Sequence, residues 1–265
     1  MLDPQASKIE ALIFGYWGWG SSSVVVDALL ESHEQLSNLK ALFIGDIEDR
    51  EDMISSISQS DLSYILEAYP KLEVLQVRGD GISWWNNGKT QTGLAFSPLK
   101  HDNLTTLIVE SGGLNRQVIA QICALELPAL EHLELWLGTS DYGGNSSIDD
   151  LMPILSGKLF SHLIYLGLRN SEYSDAIAEA LVRAQVIEQI RVLDLSMGTL
   201  GDEGATALLS CPAVDKLDIL NVAENYLSKN MVEQLSQLNC QVMAQQQRRR
   251  RNINGAEYRY WSVTE

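Results

Sequence analysis

The chain is short of cations, cysteine, proline and long apolar runs, and each shortage excludes something. Lys and Arg total 19 against 35 Asp and Glu, for a formal net charge of -16. Nucleic-acid phosphates reward the opposite balance, so a nucleic-acid partner is not expected. The three cysteines, Cys123, Cys211 and Cys240, lie far apart without metal-ligand spacing. Their odd number argues against a disulfide framework and for buried thiols in a reducing compartment. No apolar run reaches the roughly 18 residues of a membrane span. Met1 to Gln5 lack the basic and apolar regions of a signal peptide, so a cytoplasmic location is expected. With six prolines and no Pro/Gly/Ser linker, residues 1–265 read as a single domain.

What is present is repetition. A run of the form Leu-x-x-Leu-x-Leu opens at Ile9, Leu39, Leu72, Leu104, Leu130, Leu163, Ile190 and Leu217, at intervals of 26 to 33 residues. Such intervals are those of solenoid repeats. In each run the fourth and sixth positions are two apart and share one face of a strand, the interior one. The residue between them points the other way. Gln76, Glu134, Asp194 and Asn221 stand there, so that face is expected to be wet.

Helix-compatible stretches follow the strands, at Val24 to Leu36, Arg116 to Leu125, Asp175 to Ala184, Asp202 to Ser210 and Lys229 to Leu238. Ser60, Asn115, Ser147, Ser174 and Ser228 are candidate N-caps. Strands about 4.8 Å apart stacked against helices about 10 Å wide force curvature. The expected object is a right-handed α/β horseshoe of about eight repeats, its parallel sheet concave and its helices convex. A closed eight-stranded barrel would bury both strand faces in apolar runs, which polar mid-strand residues contradict.

The run Val192 to Ser196, with Leu200 to Ala205 and Ala207 to Leu209, resembles the ribonuclease-inhibitor-type leucine-rich repeats. Leu127 to Thr139, Asp141 to Gly144 and Leu166 to Ser171 resemble, more narrowly, an uncharacterised bacterial leucine-rich repeat family. The resemblance implies a horseshoe with a binding role and no activity. Of the ninth positions only Asn225 is an asparagine, so a continuous asparagine ladder is absent. Residues 81–103 read as an inserted loop, in which Pro98 argues against a helix, and 238–265 as a C-terminal cap. The aromatic tail, Tyr258 to Val263, is expected to form a strand closing the last repeat.

Strand and adjacent loop positions carry nine acids (Glu10, Asp46, Glu73, Glu110, Glu131, Glu134, Asp194, Asp218 and Glu224). Lys40, Arg78, Arg169 and Arg191 oppose them. An acidic inner surface favouring a basic protein partner is expected. The contact patch is placed at Trp136, His132, Glu134, Tyr165, Arg169 and Asp194, with Phe43 on the same inner face. Replacing Trp136 and Tyr165 with Ala is expected to abolish binding while leaving the melting temperature nearly unchanged.

Asp141, Tyr142, Trp84 and Trp85 are secondary candidates, and an ion pair from Asp141 to Arg169 across adjacent repeats is expected. Trp17 and Trp19 are expected to cap the N-terminal end of the core. Arg248 to Arg251 reads as a solvated hinge or a dock onto the protein's own acids. His33, His101, His132 and His162 show no metal-ligand spacing, and no nucleophile elbow or phosphate loop occurs. Glu131 and Glu134 would point to opposite faces of a strand, which spoils them as an acid/base pair. No enzyme activity, cofactor or metal is expected, and a monomer is favoured. The alternatives are a self-assembling structural homo-oligomer and, more weakly, a small-ligand or metal site at residues 141–145.

Overall fold

The computed structural model describes residues 5–48, 51–79, 93–253 and 256–262. Nine strands form one parallel sheet in strict sequence order. They are β1 (Ala11–Phe14), β2 (Ala41–Ile44), β3 (Val74–Arg78), β4 (Thr106–Glu110), β5 (His132–Gly138), β6 (Tyr165–Ser171), β7 (Val192–Asp194), β8 (Ile219–Asn221) and β9 (Gln241–Met243). Each repeat motif lies on one of the first eight strands, and Leu12, Leu42, Leu75, Leu107, Leu133, Leu166, Leu193 and Leu220 align in register across them. From β2 onward these leucines are almost completely buried. Sequential parallel pairing with a helix behind most strands defines a leucine-rich repeat solenoid, a right-handed horseshoe.

The helix layer consists of α1 (Ser23–Glu31), α2 (Ser63–Ala68), α3 (Arg116–Cys123), α4 (Ile148–Leu155), α5 (Ser174–Leu181), α6 (Asp202–Leu209) and α7 (Lys229–Leu235). The helices stop one to five residues short of the apolar periodicity, which continues into tight turns that still bury Leu36 and Leu125. Asn115, Ser147 and Ser228 are N-caps; Ser147 and Asp150 form a reciprocal capping box. Ser174 and Ser60 are not caps. Ser174 is the first residue of its helix and donates to the Ser171 carbonyl, while Asp61 takes the first-turn amide of Ser63 in place of Ser60. Between α2 and α3 residues 93–103 form no helix. Ala95 pairs with Asp61, Lys100 with Glu126, and Phe96 fills the core between them.

The two ends differ from expectation. Trp17 packs partly against the core, but Trp19 is 97% exposed and caps nothing. Among the described residues the end of the core beside β1 holds a cavity of about 560 Å³ lined by Ala6, Ile9, Leu12, Phe14, Leu29 and Leu36. At the other end the closing strand is β9, not the aromatic tail. The chain then makes a separate hairpin, β10 (Arg251–Ile253) with β11 (Ala256–Tyr258), and folds back over earlier repeats. Among the described residues no helix is long and apolar enough to cross a membrane. Cys123, Cys211 and Cys240 are free thiols, and burial pushes Cys123 up to about 11.

Candidate functional site

The mid-strand residues line up as a column along the concave face: Ile13, Phe43, Gln76, Ile108, Glu134, Gly167, Asp194, Asn221 and Met243. The column is not uniformly wet. Ile13 is 66% exposed, whereas Glu134 and Asp194 are 7% and 6% exposed. Two carboxylates two strands apart, with only Gly167 between them in register, are tolerated at such burial only if charge and hydrogen bonds surround them.

Glu134 is the centre of that arrangement. Trp136 Nε1 and Arg169 Nη1 each donate to its Oε1 at 2.7 Å, and the Tyr165 hydroxyl donates to its Oε2 at 2.7 Å. Asp194 Oδ2, 3.1 Å from the same hydroxyl, accepts from Asn221 Nδ2 at 2.8 Å, and its Oδ1 accepts from the Ser196 amide. The Arg169 guanidinium lies 5.1 Å over the Trp136 ring and donates through Nε to Ser196 Oγ. His132 stacks on Tyr165, ring centroids 3.8 Å apart and 6° from parallel. Its buried Nε2 makes no hydrogen bond among the described residues but stands 3.8 Å from Glu134 Oε2, close enough to act on its charge.

Burial alone would raise the Glu134 carboxyl, but His132, the Arg169 charge and the donors on Trp136 and Tyr165 outweigh it and hold it down to about 2. Burial, reinforced by the two carboxylates, pushes the Tyr165 phenol far above its ordinary range. Burial works against the Arg169 cation, yet Glu134 and Asp194 overcome it and raise the group further. The cluster is therefore a locked set of charges and rings.

Gly167 makes the lock possible. It sits in register between Glu134 and Asp194, and a Cβ there would come within 3.0 Å of Glu134 Cγ and Tyr165 Cε1. Having no side chain, it lets the Tyr165 ring lie across its own strand and reach both acids. The sequence reading placed Trp136, His132, Glu134, Tyr165, Arg169 and Asp194 in one patch, and the structure brings all six together. It missed Gly167, Ser196 and Asn221. A glycine at a mid-strand position flanked in register by two acids was the available signal.

Several expectations are corrected. Arg169 turns to Glu134 and Asp194, not to Asp141, because residues 165, 167 and 169 of β6 share the concave face. The loop containing Asp141 and Tyr142 is clamped instead by Glu172, which accepts from Thr139 Oγ1 at 2.8 Å and the Ser140 amide at 3.0 Å. Asn145 Oδ1 is occupied by the Arg116 amide. The concave face is less acidic than its sequence: Glu110, Glu134 and Asp194 are buried and ion-paired. Trp136 and Tyr165 each donate to a buried carboxylate, so removing them cannot leave stability untouched. Trp84 and Trp85 lie outside the described residues. Among the described residues no three His, Cys, Asp or Glu group as metal ligands.

A smaller counterpart lies upstream. Arg78 Nε donates to Glu110 Oε2 at 2.7 Å, Gln76 donates to the other oxygen, and the guanidinium sits 6.0 Å over Phe43.

The fold and this strand-borne cluster define a leucine-rich repeat protein. No family model matches the sequence, and no curated protein does. A crystal structure of a Bacteroides fragilis protein, solved by structural genomics, superimposes with a TM-score of 0.84 at 30% identity, over 93% of this chain and 69% of that one. The chain belongs to the same family as that protein. An internalin from Listeria monocytogenes aligns at 16% identity over 82% of this chain and 69% of its own, with a TM-score of 0.30, a likeness too slight to bear on the argument.

Proposed function

We propose that the protein is a non-enzymatic scaffold of the ribonuclease-inhibitor type, cytoplasmic, recognising another protein through its concave face and post-strand loops. The observation that carries this reading is the locked cluster of Trp136, His132, Glu134, Tyr165, Arg169 and Asp194. Side chains already fixed by one another lose little freedom when a partner docks, and aromatic and Arg groups on a rigid sheet are the usual anchors of interfaces. The half-buried Ile108 beside Glu134 extends the patch with apolar surface. Because the buried acids are neutralised internally, shape and aromatic contact take precedence over partner basicity.

The test is capture from the native lysate by three proteins: wild type, Ile108→Arg on the concave face and Met152→Arg on the exposed side of α4. A protein held by wild type and Met152→Arg but lost by Ile108→Arg supports the reading. Identical capture by all three removes it.

The core cavity beside β1, an edge strand among the described residues, favours a second reading, assembly with another copy of the chain. Light scattering that finds a monomer throughout the micromolar range rules this out.

A further inference from the structure

The segment after β11 runs along the rim where β6, β7 and β8 turn into their helices. Arg259 donates through Nη1 to Asp175 Oδ2 and to the Thr199 carbonyl, the latter at 2.9 Å. The Tyr260 amide donates to the Tyr226 hydroxyl at 2.7 Å, and that hydroxyl lies 2.8 Å from the Tyr260 carbonyl. Arg248, 5.6 Å over the Tyr226 ring, donates to the same carbonyl, and the Ser262 amide donates to the Met197 carbonyl at 2.8 Å.

The receiving surface is built by the repeats. Asp175 divides its oxygens: Oδ1 accepts from the Gly201 and Gly204 amides at the start of α6, which leaves Oδ2 for a cation. Gly201 supplies the room, since a Cβ there would stand 2.4 Å from Arg259 Nη1. Beside the guanidinium a cavity of about 370 Å³ remains, lined by Glu172, Tyr173, Asp175, Ala176 and Thr199.

We infer that this rim is a recognition site for an extended segment reading Arg-aromatic-aromatic, and that Arg259 to Trp261 occupy it as an internal ligand that a partner segment of the same chemistry replaces. Two observations make the occupant replaceable. Its hairpin shares no strand with the main sheet, so its departure leaves the solenoid intact. Among the described residues Trp261 Nε1 is buried without a hydrogen-bond partner, so a segment that satisfies that donor would fit better. This site is separate from the concave-face reading and stands or falls without it.

A fluorescein-labelled peptide of residues 256–262 is the probe, titrated into the full chain. In wild type the tethered tail competes at an effective concentration of the order of millimolar. Arg259→Glu frees the rim and should bind the peptide at least about tenfold more tightly than wild type. Arg259→Ala/Trp261→Ala, which adds no acid beside Asp175, should match it. Arg259→Glu/Gly201→Ala should lose the gain, because the new methyl fills the arginine slot; Gly201 has an extended backbone (φ -115°) that Ala adopts freely. Failure of both tail-released variants to bind, or equal binding with and without Gly201→Ala, overturns the proposal.

Discussion

Two arginines on the concave face stand over aromatic rings and face buried glutamates, yet they are set in different surroundings. Arg78 has Phe43, Gln76 and the single acid Glu110; Arg169 has Trp136, Tyr165, Ser196 and two acids, Glu134 and Asp194. The upstream cluster continues into apolar positions, Ile108 on one side and the exposed Ile13 on the other. The downstream cluster continues into Asn221 and the rim. The difference shows how a sheet that must be polar on one face handles close carboxylates: one is held by a cation and an amide, while two that share a cation take a phenol and an indole as well.

The comparison can be broken at its centre. Glu134→Ala strands Arg169 and removes the acceptor of Trp136 and Tyr165, for an expected loss of about 3 kcal/mol by urea denaturation. Glu110→Ala, with one cation to release into a position 25% exposed, should cost less, about 2 kcal/mol. Equal losses would erase the distinction.

Acid sharpens it. Glu134 is held near 2 against an ordinary 4.5, so its contribution is complete above pH 4.5 and is lost as pH falls towards 2. Wild type should lose about 3 kcal/mol more stability than Glu134→Gln over that window, read from urea midpoints at successive pH values. Tyr165→Phe, which removes the one proton lying between two acids, should cost about 1–2 kcal/mol, and Gly167→Ala about as much by pressing on the ring. Ile13→Asp should change stability by less than about 0.5 kcal/mol, because that side chain is already in water.

The strand positions of the fold were legible because leucine spacing is a direct record of which side chains share a face. The six-residue patch was legible for the same reason. The expected pairing of Arg169 with Asp141 fails because β6 runs past the sixth motif position to Ser171. Arg169 therefore belongs to the sheet and faces Glu134 in place of Asp141. Gly138 closes β5 with φ 65°, where an added Cβ would lie 1.9 Å from the Gly112 carbonyl oxygen. The dock of Arg259 on Asp175 joins positions 84 residues apart in sequence, and no local pattern encodes it.

The central claim is that the concave face over β5 to β7 is one preassembled unit. A double-mutant cycle of Glu134→Gln and Arg169→Met, followed by urea denaturation, tests it most directly. The account predicts a coupling free energy of about 2 kcal/mol or more. Additivity within about 0.5 kcal/mol would show that the two side chains act independently, and would contradict it.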